Sequence, residues 1–192
     1  MRLLVSLFLL LLTLSNTTYA QVAFDYKYTT GYKTIDTEFA IDYIFRTINP
    51  KFPKNVHTEI KNIKLFRENF KLITLYYSEY DGATRGESKF FISFWKEYAD
   101  YIECLGSNIL NIYDPEVTIS NNIITIKGKR RYEPLSLYYY SFIYKNNNFY
   151  YNSILGIHRD ADDNTTSKYY FSSDNKSVNI NSIFADKLIK DE

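Results

Sequence analysis

Residues 137–157 constrain the fold more than any other part of the chain. In Leu137-Tyr138-Tyr139-Tyr140-Ser141-Phe142-Ile143-Tyr144-Lys145, a period-two repeat places Tyr138, Tyr140, Phe142 and Tyr144 on one side. Tyr139, Ser141, Ile143 and Lys145 fall on the other. Side chains alternate between faces along a strand, so this run reads as a strand with one aromatic face. Asn146-Asn147-Asn148 interrupts it, and Phe149 to Ile157 resumes the apolar pattern. Asn tolerates the positive φ of a tight turn, which makes 137–157 a hairpin. The same grammar recurs where Asn121-Asn122 separates Val117-Thr118-Ile119-Ser120 from Ile123-Ile124-Thr125-Ile126-Lys127.

Further strands are predicted at Val56 to Leu65 and Phe70 to Tyr77, joined at Phe66-Arg67-Glu68-Asn69, then at Lys89 to Trp95 and Tyr98 to Leu105. Tyr80 to Glu87 is a connection punctuated by Gly82 and Gly86. Residues 158–176 form a polar stretch interrupted by Tyr169-Tyr170-Phe171, and Ser177 to Asn181 is a closing strand. From Ile35, the residues Ile35, Thr37, Phe39, Ile41, Tyr43 and Phe45 alternate with more polar ones. A helical stripe through Ile41, Ile44, Phe45 and Ile48 competes, but alternation accounts for more positions and predicts a strand. The expected fold is all-β, an antiparallel meander of about nine or ten short strands, propeller-like or closed as a sandwich or barrel.

The chain starts with Met1-Arg2, an apolar run from Leu3 to Leu14, and a polar exit with Thr18 and Ala20 at cleavage-site positions. That run is well short of the roughly 20 residues a spanning helix needs, so residues 1–20 read as a signal peptide and 21–192 as one exported, periplasmic or secreted β domain. No later segment approaches a spanning length, so no integral membrane segment is expected after cleavage. The 192 residues hold 23 Lys and Arg against 22 Asp and Glu, and removing Arg2 with the leader brings the two into balance. A neutral chain has no overall attraction to nucleic acid. Its 45% hydrophobic content excludes a disordered tail. The single cysteine, Cys104, sits between apolar neighbours and reads as a small buried hydrophobe.

Chemistry-bearing residues are sparse. His57 and His158 are the two histidines. His57 and Glu59 would share a strand face as a two-ligand fragment, without an evident third metal ligand. Asp160, Asp162 and Asn164 alternate like the start of a calcium loop, yet Thr165 and Phe171 stand where that loop wants Gly and Glu, so a solvated turn is expected. Ser and Asp are plentiful, but no Gly-x-Ser-x-Gly elbow exists to hold a nucleophile. No cofactor and no catalytic set is therefore assigned. The basic run Lys127-Gly128-Lys129-Arg130-Arg131 reads as a solvated turn or a docking point for an acidic protein.

The hairpin pattern in Val117 to Ile126, Arg131, and Tyr140 to Ile154, with the closing Ser177-Val178-Asn179-Ile180-Asn181, resembles propeller-like periplasmic immunity proteins. Members of that group neutralise lysozyme-like toxins delivered by rival bacteria. The resemblance implies a non-enzymatic protein whose partner is a cell-wall hydrolase, inhibited by a loop that enters its substrate cleft. Binding residues concentrate on loops carried by rigid scaffolds. Two loops are candidates, one around His158, Arg159, Asp160 and Asp162, the other carrying Asp81, Thr84 and Arg85. The alternative is a glycan- or host-surface-recognition module that uses the Tyr-rich strand faces.

Overall fold

A computed structural model describes residues 30–48, 56–78, 88–130, 133–160, 162–173, 177–182 and 188–189. Eleven strands and one helix make up these segments: β1 (Lys33–Thr34), α1 (Thr37–Ile48), β2 (Val56–Leu65), β3 (Glu68–Ser78), β4 (Ser88–Glu97), β5 (Ile102–Leu110), β6 (Tyr113–Ser120), β7 (Ile123–Arg130), β8 (Glu133–Lys145), β9 (Asn148–Arg159), β10 (Thr165–Ser172) and β11 (Val178–Asn179). The expected antiparallel meander is present, folded into two open sheets rather than a closed barrel. One sheet has the order β1-β5-β4-β3-β2, the other β10-β9-β8-β7-β6, with β11 sharing the β9 edge.

The sheets face each other across an aromatic core. Even-numbered residues of β3, β4 and β8 point inward, including Phe70, Leu72, Phe90, Ile92, Phe94, Tyr138, Tyr140, Phe142 and Tyr144, all buried. Phe94 stacks on Phe149 at 4.1 Å between ring centroids, and Phe70 meets Tyr144 edge-on at 4.7 Å. Each such ring removes a large apolar area from water and gains a preferred ring–ring geometry besides. The hairpins expected at Asn121-Asn122 and Asn146-Asn147-Asn148 are there, with Asn121, Asn122, Asn146 and Asn147 at positive φ and Asn148 already in β9. The positive-φ pair at the β2–β3 turn is Phe66-Arg67.

Residues 35–46 depart from the expected strand. Thr37–Ile48 is a helix, capped by Asp36, whose carboxylate accepts the Phe39 N–H at 3.0 Å. Glu38 in the first turn and Arg46 in the last suit the helix dipole, and Arg46 pairs with Asp42 one turn away. The stripe that competed with the alternation is the one realised: Ala40 and Ile44 are fully buried, with Ile41 and Phe45 packed beside them. They cover Ile73, Leu75, Phe91, Trp95, Ile102 and Cys104 on the outer face of the first sheet. That sheet is therefore buried on both faces, which explains why β4 reads as a continuous apolar run. Cys104 is buried, as expected.

After β10 the chain crosses back to the first sheet, and Asn181 ties it there. Its side-chain amide accepts from the Ser107 N–H at 3.0 Å and donates to the Leu105 carbonyl at 3.1 Å. Buried Asn108 donates to the Ile180 carbonyl. The polar stretch 158–176, with its interruption at Tyr169-Tyr170-Phe171, contains the strand β10, which pairs along β9 from Arg159 to Ser153. Among the described residues no helix is long and apolar enough to cross a membrane.

Candidate functional site

The most concentrated polar chemistry lies at the β7–β8 and β9–β10 end of the second sheet. His158 Nδ1 is 3.1 Å from the Ser136 hydroxyl and 3.3 Å from Glu133 Oε2, and Nε2 is 2.8 Å from the Tyr170 hydroxyl. The Tyr138 hydroxyl donates to the same Glu133 oxygen at 2.5 Å. Arg130 pairs with Glu133 at 3.6 Å and lies over the Tyr138 ring. Burial pushes the Tyr138 hydroxyl well above the ordinary phenol range, and its bond to anionic Glu133 adds to that.

Register brings these groups together. Tyr138 lies opposite Gly156 on β9, and Lys168 lies opposite Gly156 on its other side. With no side chain at Gly156, the His158 and Tyr170 rings close over the β9 backbone. Ser136, His158 and Glu133 superficially form a nucleophile–base–acid set. In a proton relay the carboxylate holds one ring nitrogen while the serine faces the other. Here Ser136 and Glu133 share Nδ1, and Tyr170 occupies Nε2. The arrangement orients a ring and satisfies partly buried polar groups.

Beyond His158 the chain forms a tight loop organised by one side chain. Asp160 Oδ1 accepts the Asp162 N–H at 2.9 Å and the Asn164 N–H at 2.8 Å, and Oδ2 accepts from the Asn164 amide at 3.0 Å. The Asn164 side chain, then the backbone donors, hold the Asp160 carboxyl below the usual carboxylate range. The Asp160 N–H also bonds the Asn164 carbonyl, and Asp163 takes a positive φ of 64°. With both oxygens turned to donors inside the loop, Asp160 does not converge with Asp162 and Asn164 on a cation position. Arg159 pairs with Asp163 at 3.5 Å, and both remain largely exposed, as does Asp162.

Of the sequence-derived candidates, His158, Arg159, Asp160 and Asp162 therefore share one end of the β9–β10 hairpin, His158 inside it and the others on its tip. Asp81, Thr84 and Arg85 lie outside the described residues. His57 and Glu59 share a face of β2, and among the described residues no group of three or more His, Cys, Asp or Glu is arranged to hold a metal. Nothing in the local sequence singles out Glu133, Ser136 or Tyr170 by chemistry, while Arg130 reads only as part of the basic run and Tyr138 only as part of an aromatic strand face. The available signal was Gly156 inside an otherwise apolar strand, since such a glycine marks a close approach.

A second polar cluster spans the two sheets at the opposite end. Lys96 on β4 meets Glu68 Oε1 at 2.5 Å and the Tyr144 hydroxyl at 3.1 Å, and that hydroxyl donates to Asn147. Burial works against the Lys96 charge, but its bonds to Glu68 and Tyr144 outweigh it and hold the ammonium above its ordinary range. The bond to Lys96 likewise draws Glu68 below the usual carboxylate value. No protein-family model, curated protein or solved structure matches the chain.

Proposed function

We propose that the chain is an exported, non-enzymatic binding protein, an immunity protein or inhibitor that blocks the substrate cleft of a peptidoglycan-degrading toxin. The observation that carries this reading is the β9–β10 loop, an exposed polar tip already fixed by Asp160 and backed by the His158 clasp. A pre-ordered tip loses little conformational entropy on binding. Asp162 and Asp163 are exposed on that tip, and their carboxylate oxygens are acceptors that can occupy positions a glycan's hydroxyl and amide oxygens would fill. The Tyr-platform alternative is weaker, because Tyr138, Tyr140, Tyr144 and Tyr151 are consumed by the core.

The test is a peptidoglycan-hydrolysis assay with lysozyme-like toxins, with and without the purified protein. A stoichiometric complex that abolishes hydrolysis is expected, weakened about tenfold or more by Asp162→Ala combined with Arg159→Glu, on the scale of one good interface contact. Retained activity of every such hydrolase at saturating protein would overturn the proposal.

A further inference from the structure

The first sheet ends at β2, and among the described residues no strand lies beyond it. Each of the other sheet edges carries something that blocks further pairing. β6 contains Pro115 and a register shift between Tyr113 and Glu116, and β10 is bulged between Tyr169 and Phe171. On the β5 side, β1 covers Ile102 and Glu103, and the Asn181 amide covers Leu105 and Ser107. β2 has neither proline nor bulge, and its 10 residues stay in unbroken register with β3 from Val56 to Leu65. Long regular edges are templates for another strand unless they are blunted.

The turn fixes which backbone groups of β2 are available. Phe66-Arg67 is a two-residue turn, so Leu65 and Glu68 close it as a hydrogen-bonded pair. Odd-numbered residues of β2 then direct their N–H and C=O groups at β3, and the even-numbered ones direct theirs outward. The Thr74 hydroxyl, 3.4 Å from the Glu59 carbonyl oxygen, agrees with this assignment.

We propose that the outer edge of β2 pairs antiparallel with β2 of a second copy, about a two-fold axis at Ile60. In that register Ile60 faces its own copy, Thr58 faces Asn62 and Val56 faces Lys64 at the hydrogen-bonded positions. Glu59 of each chain faces Lys61 of the other at the closer, non-hydrogen-bonded positions. Within one chain these two charges already share a face, 3.3 Å apart, with half-exposed side chains. Ile60, 44% exposed, loses water against its counterpart. Sliding the strands by two residues sets Lys61 against Lys61 or Glu59 against Glu59, and sliding by one sets outward backbone groups against inward ones. The charge pattern is complementary to itself in one register, which is why the occupant is a second copy of this chain. The pairing would join two five-stranded sheets into one continuous sheet.

Sedimentation equilibrium on the purified full chain over a wide concentration range tests this. A monomer–dimer equilibrium is expected, and Glu59→Lys or Lys61→Glu alone should raise its dissociation constant by about tenfold or more. The double exchange Glu59→Lys with Lys61→Glu should restore it, while far-UV circular dichroism confirms folding of all three variants. As an independent readout, Ile60→Cys should cross-link into a covalent dimer under mild oxidation, because an antiparallel pair places its Cα atoms within disulfide reach. A chain that stays monomeric at every concentration, a dimer indifferent to the single reversals, or a double exchange that fails to recover would each overturn the proposal.

Discussion

Gly156 sets how closely the His158 and Tyr170 rings approach the backbone of β9. A Cβ there would lie 2.7 Å from His158 Nε2 and 2.7 Å from Tyr170 Cε2. Both atoms belong to ring ends, so the rings can tilt, but tilting breaks the 2.8 Å bond between them and disturbs the Tyr138–Tyr170 stack. Gly156→Ala should therefore cost about 1–3 kcal/mol of stability despite the better strand propensity of alanine. Urea unfolding followed by fluorescence measures it, and an unchanged midpoint would mean that the rings move freely. The same position shows how far a sequence can disclose such a site. His158 stands out as one of two histidines, whereas Glu133 and Ser136 sit 25 and 22 residues away and reach it through the β8–β9 register. One displaced residue in that pairing would turn them to the other face, and nothing local to Glu133 or Ser136 specifies it.

At the scale of elements, hairpins were the most legible feature and the helix the least. Asn121-Asn122 and Asn146-Asn147 announce their turns because asparagine adopts positive φ at low cost. The segment that forms α1 reads as a strand because its aromatic and branched residues satisfy period two as well as period 3.6. Tertiary contact decides between them: Ala40 and Ile44 fit against Trp95 and Cys104, and among the described residues no strand pairs with the segment. The deciding local clue is the Asp36 cap, which hydrophobic periodicity alone does not weigh. The β2–β3 turn is the opposite case. Phe66 and Arg67 occupy left-handed conformations, φ 49° and 78°, that disfavour a bulky side chain, and Phe66 is 61% exposed. Its N–H bonds the Asn122 side chain, and a substitution at Phe66 leaves that backbone donor in place. Replacing Phe66-Arg67 by Asn-Gly should therefore stabilise the chain by about 1 kcal/mol, read as a raised thermal midpoint. A fall in the midpoint would show that the Phe66 ring contributes packing that outweighs its backbone strain.

For the molecule as a whole, the joint between the two sheets at the β2–β3 end depends on charge. Lys96 and Glu68 belong to the first sheet and Tyr144 to the second, and together they close the open end of the aromatic core. The Glu68 carboxyl is held below its ordinary value, chiefly by its bond to Lys96. A depressed carboxyl binds fewer protons in the folded than in the unfolded chain, so its contribution is complete above the ordinary carboxylate pKa, about 4.3. It is lost as pH falls through the lower, folded value. Lys96 is raised, so its contribution is complete below the ordinary lysine pKa, about 10.4, and is lost only as pH rises through the folded value. Neutral pH lies on the plateau of both. Because the Glu68 side chain is 37% exposed, solvent screens the pair, and Glu68→Gln should cost only about 0.5–1 kcal/mol there. Urea unfolding of both forms from pH 7 downward should show that difference shrinking below about pH 4. A difference that stayed constant into strong acid would mean that packing against Lys96 and Tyr144, rather than charge, holds the sheets at this end.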